Sequence, residues 1–209
     1  MKPLSRRRFL QTSLAAPWVV GCRKATGREI RVQELRFGYE DYPYRLPLKF
    51  GGRVVDRVTI LNVWCVVSAG NRTQEGFGSM PLSNTWTWPT TLPYDTTLNA
   101  MKQLVERCIR ITSSYKQPGH PIDINVRLLP EYLRAAEDLT RELNLPEPIP
   151  ELSTLNVMSP IDAAIHDAYG KLHGLNCYQT YGPQFLPRDL SHYLTEELRG
   201  EYLDRYVLR

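Results

Sequence analysis

The sequence has few cysteines, and they lie far apart. Cys22, Cys65, Cys108 and Cys177 form no CxxC pair and have no spacing typical of metal ligands. Cys65 and Cys108 have apolar neighbours, so we expect buried free thiols there. If Cys22 carries a lipid, three thiols remain, and an odd number cannot all pair.

The chain also lacks an excess of charge beyond its first residues. The formal net charge of +4 comes from Lys2 and the arginines at 6–8, and the remainder holds 22 basic and 22 acidic residues. A neutral chain presents no basic field to a phosphate backbone, so we expect no nucleic-acid partner. No apolar stretch after the N-terminus is long enough to span a membrane.

The N-terminus carries an export pattern. Ser5–Gln11 reads SRRRFLQ, which matches the twin-arginine pattern through Arg6 and Arg7, and a modestly apolar stretch comes after it. We interpret residues 1–21 as a signal peptide rather than as part of the fold. A basic disordered arm is the alternative interpretation.

A second sequence pattern lies at the end of this signal-peptide segment. Val19–Cys22 resembles a lipoprotein cleavage box, which predicts a lipid on Cys22. The expected location is therefore periplasmic or at the cell surface, reached by the twin-arginine route, with the lipid holding the protein to the membrane surface. Residues 22–29 are polar and are interpreted as a tether.

The length of the chain limits its domain content. About 188 residues remain after the signal peptide, enough for one domain but fewer than the ~250 that a (β/α)8 barrel typically needs. We place this domain at 30–185 and expect 186–209 to be a charged, helical tail.

The first half predicts three strands. Ile30–Tyr39 alternates as a strand, Glu40–Phe50 is rich in tyrosine and proline and is interpreted as a loop, and Arg53–Ala69 is strongly β-forming. A turn at 70–72 leads to a third strand, Thr73–Met80. Sequential strands with modest connections imply an antiparallel meander.

The second half predicts helices. A loop at Pro81–Pro93 precedes a helix to about Tyr115, with Asp95 or Thr96 as its N-cap. A break at Pro118–Pro121 separates it from a helix that we expect from Pro130 to Asn144. Strands followed by helices predict an α+β fold.

The last predicted helix is the most informative segment. After a proline-rich loop at 145–155, Ser159 is a suitable N-cap, Pro160 suits the first helical position, and Asp162 is placed to favour the helix N-terminus. Apolar residues recur on one face, Gly174 supplies a stop, and a short helical turn is expected near Cys177–Tyr181.

This segment also carries a resemblance. The order Ile161-Asp162-Ala163-Ala164, His166-Asp167, Gly170-Lys171, Gly174, Tyr178, Gly182 is similar to the end of the capping domain in the mandelate racemase/muconate lactonizing group of the enolase superfamily. The resemblance covers roughly 30–182 and implies a three-stranded meander followed by a helical bundle. In that family a catalytic barrel comes next, and here the sequence stops 27 residues after Gly182.

The resemblance implies two substrate-covering loops. Residues 42–48 are similar to the family's first flexible loop, and residues 75–88 are similar to the second. Two departures are a serine at Ser79, where the family has an acid, and His166, where it often has tryptophan. The candidate substrate-loop residues are Tyr42, Tyr44, Phe77, Met80 and Trp86.

The chemistry of the family belongs to its barrel. There a lysine or histidine removes a proton beside a carboxylate while Mg²⁺, held by three acids, stabilises the product anion. No Lys-x-Lys strand and no acidic series comes after Gly182. We therefore predict no catalytic residue, no metal ligand and no cofactor in this chain, with Mg²⁺ expected only in the barrel.

Two local patterns suggest other sites. Asp162, His166 and His173 fall near one helical side, but a metal needs a further ligand, and capping or packing explains them better. Trp86, Trp88 and Tyr94 favour a loop over a barrel mouth more than an aromatic stacking platform.

Two functions remain open. The first is a capping and specificity domain of an exported sugar-acid dehydratase, racemase or cycloisomerase, whose barrel comes from another domain or a homologous subunit. The second is a free-standing lipoprotein interaction domain that has lost catalysis. Helices of a capping domain bury an apolar side on the barrel, which favours the first, because such a side exposed is a liability.

Overall fold

The structure, a computed structural model, describes residues 28–50 and 52–207. Three antiparallel strands come first, in the spatial order β1-β2-β3: β1 (Arg31–Phe50), β2 (Arg53–Ala69) and β3 (Arg72–Pro81). Four α-helices come after them: α1 (Asn84–Thr87), α2 (Tyr94–Ser114), α3 (Pro121–Glu142) and α4 (Glu151–His173). The predicted α+β class and the meander are confirmed.

One face of the sheet and the helices enclose the core. The odd-numbered residues of β2 are 0% exposed from Leu61 to Val67 and face the helices. They meet Leu104, Cys108 and Ile165 among the fully buried residues of one continuous apolar cluster. The thiols of Cys65 and Cys108 are free and buried, as predicted.

Two glycines of β3 let helix α4 lie directly against the strand. A Cβ built on Gly76 would stand 2.2 Å from the backbone oxygen of Ala164, and one on Gly78 would stand 2.1 Å from that of Pro160. No side chain fits in that space. The edge of β3 is covered as well, since the Phe77 amide donates to Asp167 Oδ2 of α4 at 2.9 Å.

The predicted loop at Glu40–Phe50 is wrong, because β1 continues to Phe50. Leu48 to Phe50 pair with Val55 to Arg53, and a register shift between Pro43 and Leu48 takes up the prolines. Proline is tolerated in this strand because β1 is an edge and needs no ladder bond on its outer side.

The predicted start of the second long helix at Pro130 is also wrong. Helix α3 begins at Pro121, after His120, whose ring accepts the Ile122 amide as an N-cap. Pro130 lies inside the helix on its exposed side. Proline has no N–H to donate, so the carbonyl of Val126, four residues earlier, lacks its helical hydrogen bond. Val126 is 46% exposed, so water can donate to that carbonyl instead.

The same error affects the last long helix. Helix α4 starts at Glu151, so the predicted loop to Leu155 and the N-cap at Ser159 are wrong, and Ser159 Oγ donates to the Leu155 carbonyl inside the helix. Asp162 is consequently in mid-helix. Burial of Val157 and Ile161 offsets the cost of the internal Pro160.

The smaller elements agree with the prediction only in part. Helix α2 begins at Tyr94 without a side-chain cap, so Asp95 and Thr96 lie in its first turn. Gly174 ends α4 with φ of 67°, as predicted, and a 3-10 helix comes next at Cys177–Thr180. The expected helical tail is instead three short 3-10 helices, at Leu190–His192, Glu196–Leu198 and Leu203–Arg205.

Candidate functional site

A groove of about 330 Å³ lies between the far end of the β1–β2 hairpin and the start of the helical region. We call it the hairpin groove. Its walls come from both strands of the hairpin, from α1 with the residues before it, and from Tyr94 at the start of α2. The lining residues are Tyr44, Leu48, Lys49, Phe50, Val55, Arg57, Val58, Leu82, Ser83, Asn84, Thr85, Trp86 and Tyr94.

Four aromatic rings line the groove, those of Tyr44, Phe50, Trp86 and Tyr94. Tyr44 is 37% exposed and Trp86 is 54% exposed, so both present much of their surface to solvent. Tyr94 is more enclosed, and burial raises the pKa of its hydroxyl. Flat apolar surfaces of this kind cover ligands or partner surfaces at low entropic cost, because an aromatic ring has few rotatable bonds.

The charges lining the groove are all positive. The Arg57 guanidinium lies 4.7 Å from the centre of the Tyr94 ring and donates to Asp95 Oδ1 at 2.7 Å, and this hydrogen bond raises the pKa of Arg57. Lys49 is the second cation, and no acidic side chain among the described residues lines the groove. The groove is therefore suited to an apolar group, and a negative charge on that group would attract Lys49 and compete with Asp95 for Arg57.

A buried asparagine holds the helical wall in place. Asn84 is 2% exposed, and its amide donates to the Tyr94 carbonyl at 2.9 Å and to Thr97 Oγ1 at 2.8 Å. These two bonds join α1 to the start of α2. They fix the position of Trp86 relative to Tyr94.

The hairpin around the groove exposes large apolar side chains, which together we call the hairpin patch. They lie on both faces of the hairpin, because Val54 pairs with Lys49 and is on the opposite face from Leu48 and Phe50. Its exposed fractions run from 37% at Tyr44 to 78% at Leu46. The register shift leaves residues 44–47 unpaired, so Leu46 projects from the strand. The patch consists of Tyr42, Tyr44, Leu46, Leu48, Phe50, Val54 and Trp86.

The structure brings together only some of the predicted substrate-loop residues. Tyr44 and Trp86 line the groove, and Tyr42 stands beside it with its hydroxyl donating to Glu40. Phe77 lies on the opposite face of the sheet from the core, 5.4 Å from the Trp64 ring, and Met80 pairs with Leu61 on the core side. Neither of these two lines the groove.

Two other predictions concern residues of the helical region. Trp88 is 2% exposed and its indole donates to Glu147, so it belongs to the core, and the prediction that places it in a loop over a barrel mouth is wrong, as is the aromatic-platform alternative for this residue. Asp162 accepts from Asn125 and lies 3.0 Å from His166 Nδ1. In the part of the chain that the structure describes, no group of three or more histidine, cysteine or acidic residues is arranged to hold a metal ion.

Some predicted features fall outside the described residues. Arg6, Arg7 and Cys22, the predicted export and lipidation residues, precede residue 28. No described helix has the length and apolarity needed to cross a bilayer.

Sequence reasoning missed Leu48, Phe50 and Arg57 as groove residues. Leu46, Leu48 and Phe50 are apolar residues at every second position, a pattern typical of a strand. This pattern would have extended the predicted strand and placed Leu48 and Phe50 on one face. Arg57 carries no local signal, because its place depends on Tyr94 and Asp95, which are 37 and 38 residues further along the chain.

Known proteins resemble this chain in structure but not in sequence. No protein-family model matches the chain, and neither does any curated protein. Solved structures that match include a mandelate racemase/muconate lactonizing enzyme-like protein from Rubrobacter xylanophilus, with 17% identity over 71% of this chain and a TM-score of 0.38. A dipeptide epimerase from Methylococcus capsulatus matches 73% of this chain with 17% identity and a TM-score of 0.46.

A third solved structure is the L-talarate/galactarate dehydratase of Salmonella typhimurium, which matches 82% of this chain with 12% identity and a TM-score of 0.43. The chain spans about a third of the length of these proteins, from 33% to 38%. All three are enolase-superfamily enzymes or enzyme-like proteins, and the match covers only part of each.

Proposed function

We propose that this chain is the capping and substrate-specificity domain of an enolase-superfamily enzyme of the sugar-acid dehydratase, racemase or cycloisomerase type. We further propose that it is not catalytic by itself. The observation that carries the proposal is the hairpin patch, seven large apolar side chains exposed beside a groove lined by cations. The choice of family rests on the resemblance of the motif from Ile161 to Gly182 to the end of its capping domain.

The hairpin patch needs a partner. A soluble domain rarely exposes so many large apolar side chains together unless the surface binds something. The rim of a barrel mouth would cover Leu46 and Phe50 and leave the groove facing the barrel interior.

The groove residues suit binding rather than proton transfer. Tyr44 and Trp86 would contact the apolar part of a small organic acid, and Arg57 and Lys49 would attract its carboxylate. In the part of the chain that the structure describes, no acidic or histidine side chain lines the groove, so these residues offer no general base of those types and no hard oxygen ligand set for Mg²⁺. Proton removal and any Mg²⁺ site are therefore assigned to the barrel.

Site-specific photo-cross-linking in the cells that make the protein tests this proposal. A benzoylphenylalanine at Leu46 should cross-link to a barrel sequence that carries acids at the ends of successive strands, whether it lies in the same polypeptide or another. The control position is Val126, exposed to a similar degree as the patch but on α3. Equal cross-linking at both positions, or an adduct at Leu46 with a protein that has no barrel, would favour the interaction-domain alternative and overturn the proposal.

We also propose export by the twin-arginine route and a lipid on Cys22, on the basis of the sequence patterns alone. Replacing Arg6 and Arg7 by lysine should retain the protein in the cytoplasm. Cys22→Ser should abolish incorporation of labelled fatty acid. Labelling of the Cys22→Ser protein at the level of the parent would disprove the anchor.

A further inference from the structure

Three of the four histidines lie at one junction of the fold. His120, His166 and His173 surround the place where the incoming segment (28–30) and the outgoing segment (176–186) pass α3 and α4. The outgoing segment contains the 3-10 helix Cys177–Thr180. The rings of His120 and His173 both contact the outgoing segment and help to hold it against the helices.

His120 connects α3 to the outgoing segment. The ring is 1% exposed, its Nδ1 accepts from the Ile122 amide at 3.2 Å, and its Nε2 lies 3.1 Å from the Thr180 carbonyl. A carbonyl only accepts, so Nε2 carries the proton and Nδ1 does not. An imidazolium has no acceptor nitrogen, so protonation breaks the N-cap bond to Ile122 but leaves Nε2 donating to Thr180. What opposes protonation is burial of the ring between α3 and the outgoing segment, and that cost is removed when the segment moves away and water reaches the ring.

The surroundings of His120 offer little compensation for a positive charge. Its neighbours are the rings of Tyr169, Tyr181 and His166, with centroids 4.9, 6.0 and 6.3 Å away. The nearest acid on α3, Asp123, already accepts from the Tyr193 hydroxyl at 2.7 Å and lies 3.7 Å from Arg188. On α4, Asp162 is occupied by Asn125 and His166.

His173 holds the opposite side of the junction. Its Nε2 lies 3.2 Å from the Arg28 carbonyl, and its ring packs 4.6 Å from Tyr169 and 5.3 Å from Phe185 of the outgoing segment. Arg28 also lies over the Phe185 ring and donates to the Gln184 carbonyl at 2.6 Å. The charged groups that face His173 are thus the cations Arg28 and Arg72, which oppose its protonation.

Both rings favour the neutral form in the folded state. Burial, followed by the neighbouring His166, lowers the pKa of His120 from 6.5 to about 3, and burial lowers the pKa of His173. A histidine with a lowered folded-state pKa stabilises the fold fully above its unfolded pKa. That contribution is lost as the pH falls from about 6.5 towards the folded-state pKa.

We propose that His120 and His173 form an acid-sensitive latch, which holds the outgoing segment against α3 and α4 at neutral pH and releases it in acid. Among the described residues of the helical core, these two rings bond only to the Ile122 amide at the start of α3. We therefore expect the segment to be released before the domain unfolds. The consequence is a change in how the domain connects to the chain after residue 186. The latch does not depend on the proposed function.

The native cysteines allow a direct test on the full chain. Cys177 lies in the outgoing segment, while Cys65 and Cys108 are 0% exposed in the core and report global unfolding. The probe is 4,4′-dithiodipyridine, which reacts with thiols in acid, and the labelled peptides are quantified by mass spectrometry. A peptide of residues 174–182 gives the intrinsic reactivity of Cys177 at each pH.

Relative to that peptide, labelling of Cys177 should rise about tenfold between pH 7 and pH 4.5, with Cys65 and Cys108 protected; tenfold corresponds to about 1.4 kcal/mol. His120→Gln keeps an acceptor and a donor but does not titrate, so it should weaken the acid response. The matched control, His192→Gln, changes the histidine outside the junction and should leave the response intact.

Three results would overturn the latch: labelling of Cys177 that does not depend on pH, simultaneous labelling of Cys65 and Cys108, or a full acid response in His120→Gln. If His120→Gln already exposes the core thiols at pH 7, His173→Gln replaces it as the non-titrating variant. A C2–H NMR titration of the parent protein adds a separate check, because a His120 pKa near 6.5 contradicts the proposal.

Discussion

The two halves of the β1–β2 sheet are both apolar, and only one of them is covered. Where β2 runs beneath the helices, Leu61, Val63, Cys65 and Val67 are 0% exposed. At the hairpin end, Leu46 is 78% exposed and Val54 is 62% exposed. The same residue types are therefore buried in the core in one half and exposed to solvent in the other. Apolar composition alone does not distinguish the two halves.

The difference arises from which part of the sheet the helices reach. Helix α4 contacts β3 at Gly76 and Gly78, which are opposite Cys65 and Val63 of β2. Of the long helices in the described part of the chain, only α2 lines the hairpin groove, through its first residue Tyr94. Gly76 and Gly78 let α4 lie close to β3, and β1 and β2 extend beyond the part of the sheet that α4 covers. Substitutions in each half test this contrast, beginning with the largest expected effect.

Gly78→Ala should destabilise the domain by more than ~3 kcal/mol, beyond the ordinary ~1–3 kcal/mol of overpacking, because the added Cβ meets backbone atoms that cannot move alone. Urea unfolding monitored by circular dichroism measures this change. Gly38→Ala is the control, since a Cβ there has its nearest neighbour at 4.0 Å, and it should change stability little. Equal losses of stability at the two glycines would show that close packing of α4 on β3 does not cause the effect of Gly78→Ala.

Leu61→Ala and Leu46→Ala compare the same substitution in the two halves. Leu61→Ala should cost about 3 kcal/mol, within the ~2–5 kcal/mol typical of buried leucines, and Leu46→Ala less than ~0.5 kcal/mol. Thermal or urea unfolding of both variants gives the two values. A loss at Leu46 comparable to that at Leu61 would mean that the hairpin contributes to folding and is not a free surface.

Trp86→Ala should leave stability within ~0.5 kcal/mol of the parent and reduce binding of an apolar fluorescent dye such as anilinonaphthalene sulfonate, whose anionic group suits the cations of the groove. Phe77→Ala serves as the comparison, because Phe77 is 43% exposed on a different surface. Dye fluorescence that falls equally in both variants would argue against the hairpin groove as the binding surface.

The sequence predicted the elements whose local pattern is unambiguous. The strand Arg53–Ala69 is long and β-branched, and the stop at Gly174 uses the left-handed backbone that glycine adopts freely. The class of fold was evident from the order of these elements.

Prolines caused most of the errors. Pro43 and Pro47 suggested a loop, Pro130 a helix start and Pro160 a first helical position, yet all four lie inside regular elements. Pro43 and Pro47 lie in a strand with an unpaired edge, Pro130 lies on an exposed helix face, and the turns on both sides of Pro160 are buried. A local signal cannot report those surroundings.

The candidate site was predictable only in part. Tyr44 and Trp86 carry the resemblance to the substrate loops and do line one groove, whereas Phe77 and Met80 do not. The strand alternation assigns Phe77 and Met80 to opposite faces, because their partners Trp64 and Leu61 on β2 differ by an odd number of positions.

Local sequence patterns were sufficient to establish an α+β domain with three sequential strands before its helices, because hydrophobic period and turn residues act over a few positions. Three outcomes required the folded chain: which apolar residues are buried, where the prolines are tolerated, and that Tyr44, Arg57, Trp86 and Tyr94 form one groove. Those outcomes depend on contacts between residues far apart in the chain, and such contacts leave no local pattern to be recognised.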